Sequence, residues 1–181
     1  MPLRAVTLHR RFLVKPAAVG ILAAAFTLSG CGGGDRKGAE LRRKEADHLV
    51  AEADFAVNLR EWTRAEGLLV KAAELVPDDG EIWIGLGSAR ALRGDKAQAR
   101  AAYEKALSVY SGAASEKAGA PAEPWLRQVY VLVLLGREKD ARSLLEKAGR
   151  RLDGNREVKD FIANRGVDAL LADPALRKVR L

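Results

Sequence analysis

The sequence predicts an all-α protein, a solenoid built from consecutive helix–turn–helix units. Two features of its 181 residues indicate this architecture. Apolar and small residues recur at spacings of three and four along most of the chain, which is the pattern of amphipathic helices. The pattern also matches itself after a shift of 34 residues, and a period of this size is typical of helical repeat arrays. We therefore expect about three repeated helix pairs, followed by further helices.

The N-terminal region has the composition of a cleaved export signal. A basic stretch with Arg10, Arg11 and Lys15 precedes an apolar run over residues 16–28. That run is shorter than the roughly 20 apolar residues that span a bilayer. We therefore expect a signal peptide over residues 1–30 and no permanent membrane helix. The arginine pair leaves both the general secretory route and the twin-arginine route open.

The apolar run ends in the tetrapeptide Leu28-Ser29-Gly30-Cys31. It resembles the lipobox of bacterial lipoproteins, in which an aliphatic residue and two small residues precede the lipidated cysteine. The resemblance implies cleavage before Cys31 and lipid attachment at that residue, which would anchor the chain stably in the cell envelope, facing the periplasm. Gly32, where an aspartate would retain a lipoprotein in the inner membrane, favours the outer membrane. Residues 31–39 are rich in glycine and charge, so we expect a flexible tether there.

The clearest repeat covers residues 80–111. Its signature positions are Trp83, Leu86, Gly87, Ala99, Tyr103 and Ala106, with a turn at Gly94-Asp95. This pattern resembles the tetratricopeptide repeat (TPR), a helix–turn–helix unit of 34 residues. The resemblance implies a right-handed α-solenoid with a groove lined by the first helix of each unit. Arg90 departs from the pattern, which usually has tyrosine at that position.

An earlier copy of the unit covers about residues 46–79. Its signature positions are filled by Leu49, Ala53, Ala65, Leu69 and Ala72. The unit closes with Pro77 and the pair Asp78-Asp79, which is suited to capping the next helix. Its internal turn has Arg60 where the second copy has Gly94.

A third copy covers about residues 122–155. Trp125 lies 42 residues after Trp83, so an insertion precedes it near residues 112–121. The Ala, Glu and Lys content of the insertion favours two more turns of the preceding helix and then a loop. That loop is either a binding feature or a surface excursion, since insertions in solenoids fall on one face.

The C-terminal region, residues 156–181, continues as helix without the full repeat signature. Gly166 interrupts the pattern, and Asp173-Pro174 starts a last short helix. We expect these helices to cap the exposed end of the stack.

The sequence offers no catalytic, cofactor or metal site. His48 is the only histidine after the predicted signal, and the single cysteine, Cys31, is expected to carry lipid. No serine stands in a nucleophile-elbow sequence. After the first 30 residues the chain carries 27 basic and 24 acidic residues, a balance that disfavours nucleic acid. We expect no enzymatic activity and no small-molecule substrate.

The repeat resemblance implies a protein or peptide partner in the envelope. Its groove positions in this chain are Asp54, Asn58, Glu81, Ile84, Ser88, Leu92, Leu126 and Tyr130. Their mix of apolar and polar side chains suits a peptide with one or two hydrophobic anchors. The expected role is an adaptor or assembly factor, similar to the pilotin lipoproteins of type IV pili. The alternative is an obligate structural subunit of an envelope complex.

Overall fold

The computed structural model describes residues 33–114 and 120–181, and every regular element in these ranges is a helix. The predicted signal peptide and Cys31 lie outside the described residues. The helices are α1 (Gly33–Asn58), α2 (Trp62–Leu75), α3 (Gly80–Arg93), α4 (Lys96–Ala113), α5 (Glu123–Leu134), α6 (Glu138–Arg151), α7 (Arg156–Ala163), α8 (Gly166–Ala172) and α9 (Pro174–Val179).

The first six helices form three consecutive hairpins. α1 packs on α2, α3 on α4 and α5 on α6, and α2 and α4 also pack on the first helix of the next hairpin. Each helix therefore buries its apolar side against its neighbours in sequence, as a stacked array requires. The predicted all-α solenoid of TPR-like units is confirmed.

A residue in the left-handed backbone region closes the first helix of each hairpin. The φ angles are 63° at Arg60, 92° at Gly94 and 71° at Gly136. Glycine adopts this region without strain because it lacks a Cβ. The predicted turn at Gly94 is confirmed, and Arg60 adopts the same backbone conformation at the equivalent position.

The second helices supply the small and large residues that fill each hairpin. The signature positions Ala65, Leu69, Ala72, Ala99, Tyr103 and Ala106 are all buried, and so are Ala141, Leu145 and Ala148, which stand at the same offsets from Trp125 in the third unit. Gly87 of α3 lies so close to the Tyr103 ring that a Cβ there would stand 2.3 Å from the ring carbon Cε1. The absence of a side chain at Gly87 thus lets α3 approach α4 closely.

Arg90, the departure from the repeat pattern, makes a partly buried ion pair between hairpins. Its Nε donates to Oε1 of Glu66 on α2 at 2.9 Å, and Arg93 Nη1 lies 2.7 Å from Oε2 of the same carboxylate. Glu66 is only 9% exposed, and the guanidinium groups of Arg90 and Arg93 compensate the negative charge of its buried carboxylate. The tyrosine of the usual pattern is thus replaced by an electrostatic contact between the first two units.

Two expected segments differ from the structure. α1 already begins at Gly33, so residues 33–39 of the expected flexible tether are helical. The stretch contains no proline, and its glycines weaken a helix without ending it. α4 has 18 residues against 14 in α2 and in α6, so it is one turn longer than they are, not two. It ends at Ala113, and residues 115–119 of the insertion lie outside the described residues.

The last three helices do more than cover the end of the third hairpin. α7 packs on α6, and α8 packs on α5 and α6, as capping helices would. α9 instead contacts α3, in the middle hairpin. It begins as predicted: Asp173 caps it by accepting a hydrogen bond from the Ala175 N–H at 2.7 Å, and Pro174 occupies its first turn.

Candidate peptide-binding groove

The predicted groove residues lie on the first helices of the three hairpins. α1 carries Asp54 and Asn58, α3 carries Glu81, Ile84, Ser88 and Leu92, and α5 carries Leu126 and Tyr130. The structure divides these positions into an open part on α1 and a part on α3 and α5 that the chain itself covers, whereas Glu81 and Leu126 lie outside both parts.

The open part is a surface formed by the last two turns of α1 and by Leu59, the residue that follows the helix. Asp54 and Asn58 are exposed, and so are the large apolar side chains of Phe55 (60%) and Leu59 (51%). Residues 54, 55, 58 and 59 share one side of a helix because positions four apart lie one turn apart. We call these four residues the α1 patch. Neighbouring residues partly desolvate the Asp54 carboxyl, which raises its pKa.

Phe55 and Leu59 are absent from the predicted groove. The repeat register assigns groove positions to Asp54 and Asn58 only, and the two apolar residues lie between them and the buried stripe formed by Ala53 and Ala56. Their size could have indicated them in the sequence, since large apolar residues outside the buried positions of an amphipathic helix often mark an interaction surface.

The covered part is occupied by the end of the chain. Ile84 is only 8% exposed and belongs to one apolar cluster with Leu176 and Val179 of α9. Leu92 and Tyr130 pack against the same cluster. Ile84, Leu92 and Tyr130 therefore converge on one cluster, which they share with a short helix of the same chain.

Backbone hydrogen bonds hold this segment as well. The Tyr103 hydroxyl donates to the Val179 carbonyl oxygen at 3.0 Å, and Ser88 Oγ lies 3.3 Å from the same hydroxyl. The Leu181 N–H donates to the Leu134 carbonyl oxygen at 2.9 Å. A donor and an acceptor of the groove thus engage the backbone of the segment, while apolar side chains engage Leu176 and Val179.

The rim beside this contact is polar. Tyr110 donates a hydrogen bond to the Glu81 carboxylate, and Arg127 Nε lies 3.2 Å from Glu81 Oε1. Burial, and then the nearby Glu81, raise the pKa of Tyr130. Glu81 is thus engaged at the rim by a phenol and a guanidinium.

Leu126 is placed differently from the other predicted positions. It is half-buried, and it packs with the clusters around Val129 and Trp125 rather than with α9. Its side chain therefore contributes to packing between the third hairpin and the capping helices.

Within residues 33–114 and 120–181, no three His, Cys, Asp or Glu side chains are grouped so that they could hold a metal ion. No helix in the same ranges has both the length and the apolar character needed to cross a bilayer.

No family model matches the chain. Among solved structures, the chain is similar to the first TPR domain of Spaghetti (RPAP3) bound to the HSP90 peptide SRMEEVD, with 14% identity and a TM-score of 0.43. The match covers 72% of this chain and 96% of that one.

Proposed function

We propose that this chain is a lipid-anchored protein-interaction module of the bacterial cell envelope, which binds a peptide segment of its partner in the groove formed by α1, α3 and α5. One observation carries the binding part of the proposal. The α3 and α5 surface already holds a short helix, with Leu176 and Val179 buried and backbone groups hydrogen-bonded to Tyr103 and Leu134. A surface that accepts one peptide segment in this way has the chemistry to accept another.

The α1 patch is a second exposed surface, on the first helix of the array. Phe55 and Leu59 offer exposed apolar area for anchor residues, and Asp54 and Asn58 offer polar groups beside them. Apolar anchors that are flanked by hydrogen-bonding groups are the usual way in which a groove gains both affinity and direction for a peptide. The proposed ligand is therefore an amphipathic segment of a partner protein, and no catalytic activity or small-molecule substrate is proposed.

The anchoring part of the proposal rests on the resemblance of residues 28–31 to a lipobox. Lipid on Cys31 would hold the repeats near the membrane on its periplasmic side, with the outer membrane favoured by Gly32. An adaptor or assembly factor comparable to a pilotin fits a small anchored module with one peptide groove.

An obligate structural subunit is the second candidate, and the exposed face of α1 favours it. Leu41 is 66% exposed and, by helical periodicity, lies on the same side of α1 as Leu59. A permanent partner would cover such a stripe, and the purified chain would then self-associate without it. An adaptor should instead remain monomeric on its own.

Site-specific photo-crosslinking in living cells tests the binding part. A photoreactive residue at Asn58, in the groove, is compared with one at Lys105, which is exposed on α4. We expect Asn58 to crosslink to one dominant envelope protein, and we expect Phe55→Asp to abolish that product. Equal crosslinking from Lys105, or a product that survives Phe55→Asp, would count against the groove.

Membrane fractionation tests the anchor separately. The wild-type chain should incorporate labelled palmitate and sediment with outer membranes, whereas Cys31→Ser should do neither. A wild-type chain without label would rule out lipid attachment at Cys31 and would leave the groove proposal intact.

A further inference from the structure

We infer that the segment Asp173–Leu181 is an internal ligand of the groove, which an external peptide of the same pattern displaces. This inference rests on the proposed function and adds to it a regulatory element and a class of ligand. The predicted pattern is a short helical turn with two apolar residues three positions apart, followed by extended residues that offer a carbonyl and an N–H.

The segment depends on the groove for its conformation. α9 has six residues, and helices of this length are not stable in isolation because nucleation is unfavourable. The Asp173 cap and Pro174 favour the first turn, but the apolar contacts that keep it folded come from α3, α5 and the capping helices. The segment can therefore leave as a unit without unfolding a hairpin.

The contacts are of a kind that another sequence could reproduce. Leu176 and Val179 are each 9% exposed, whereas Arg177 and Lys178 between them are exposed. The two hydrogen bonds to the groove involve the backbone of residues 179 and 181, which every non-proline residue can supply. Recognition therefore depends on the spacing of the two apolar side chains, and the residues between them can vary.

An external segment can gain contacts that the internal one lacks. Phe55 and Leu59 stay exposed while α9 is in place. A partner that contacts the α1 patch as well as the α3 surface would bury this additional apolar area. The internal segment then lowers the apparent affinity for an external ligand, because only those molecules in which the segment has left the groove can bind it.

Binding of a synthetic peptide tests the inference. The probe is a peptide of residues 173–181, and the acceptor is the full chain with Leu176→Ser and Val179→Ser, which weakens the internal contact. The matched control is Arg177→Ser with Lys178→Ser, which changes the exposed positions of the same segment. We expect the opened variant to bind the peptide at least about tenfold more tightly than the wild type or the control does. A folded opened variant that does not bind, or a wild type that binds equally well, would overturn the inference.

Hydrogen exchange of the wild-type chain gives a second measurement that needs no variant. The amides of residues 180 and 181 are hydrogen-bonded to Leu176 and Leu134. If the segment opens alone, these amides exchange faster than the amides of the central turns of α4, and adding a peptide that occupies the groove speeds them further. Exchange of both sets at one common rate would show that the segment opens only on global unfolding, and would overturn the inference even if the opened variant failed to fold.

The two proposals can fail separately. Crosslinking from Asn58 does not require the internal segment to move. A specific crosslink combined with no peptide binding by the folded opened variant would remove the internal ligand and keep the groove, whereas peptide binding without any Asn58 crosslink would do the reverse.

Discussion

The Tyr103 hydroxyl donates a hydrogen bond to the Val179 carbonyl oxygen at 3.0 Å, joining two residues that lie 76 positions apart in the chain. Tyr103 is the most deeply buried large side chain of the middle hairpin, and Val179 ends the last helix. One phenol therefore serves two purposes. Its ring packs against Gly87 inside the hairpin, and its hydroxyl reaches the groove that α9 occupies.

Tyr103→Phe should separate these two contributions. The ring stays in place, but the buried Val179 carbonyl loses its donor, so we expect the free energy of unfolding to fall by about 1–2 kcal/mol. Urea denaturation measures it. The control is Tyr130→Phe, whose hydroxyl makes no hydrogen bond to another described residue, and we expect a change below about 0.5 kcal/mol. Equal losses from both variants would mean that the hydrogen bond contributes little.

Alkaline pH should weaken the fold partly through Tyr103. Burial raises the pKa of Tyr103 to about 12, from an ordinary value near 10. The folded state therefore retains the proton where the unfolded state has lost it, so this stabilisation is complete below about pH 10 and is lost as the pH rises towards 12. Between pH 9 and pH 11 the stability difference between the wild type and Tyr103→Phe should shrink by about 1 kcal/mol. If this difference stays constant between pH 9 and pH 11, burial does not raise the pKa of Tyr103.

The packing inside the hairpins could be predicted from the sequence because it depends on local spacing. Gly87, Ala99 and Tyr103 recur in a register that two adjacent helices must satisfy, and the structure buries them together. Arg90 could not be interpreted in this way. Its partner Glu66 belongs to the preceding unit, and nothing in the spacing of one repeat indicates a contact between units.

Arg60→Gly should stabilise the protein. Arg60 has a φ of 63°, in a region that costs residues with a Cβ about 1–2 kcal/mol. Glycine removes that cost but adds entropy to the unfolded chain, so we expect a net gain of about 0.5–1 kcal/mol. Thermal or urea unfolding measures the gain.

Gly94→Ala is the reciprocal variant of Arg60→Gly. Gly94 has a φ of 92°, and no atom stands within 4 Å of where its Cβ would be, so any effect comes from the backbone alone. We expect a loss of about 1–2 kcal/mol. If neither variant changed the unfolding midpoint, the left-handed conformation at these turns would not be a source of strain.

Gly87→Ala should be among the most damaging small substitutions in the chain. A Cβ at this position would stand 2.3 Å and 2.4 Å from two carbons of the Tyr103 ring, which is fully buried and has no room to move aside. We expect a loss of about 1–3 kcal/mol from overpacking. Gly67→Ala is the matched control, since a Cβ at Gly67 of α2 meets nothing within 4 Å, and there the change should stabilise the helix by up to about 1 kcal/mol. Similar effects from both variants would contradict the close contact.

The groove could be predicted only in part. The repeat register places Ile84, Ser88 and Tyr130 on the surface that α9 covers, and Asp54 and Asn58 on the surface that stays open. It does not indicate that α9 passes the end of the array and reaches α3. Leu176 and Val179, which bind there, follow an ordinary helical spacing. Their spacing does not indicate which surface they cover, because that depends on tertiary packing.

Photo-crosslinking from Asn58, in the wild-type chain and in the Leu176→Ser, Val179→Ser variant, tests the central claim most directly. If the groove binds a partner segment and α9 competes for it, the same envelope protein should be captured in both cases, with a higher yield from the opened variant and none from a probe at Lys105. If opening the segment leaves the yield unchanged, or if Lys105 captures the partner equally well, the groove is not the site of competition that we describe.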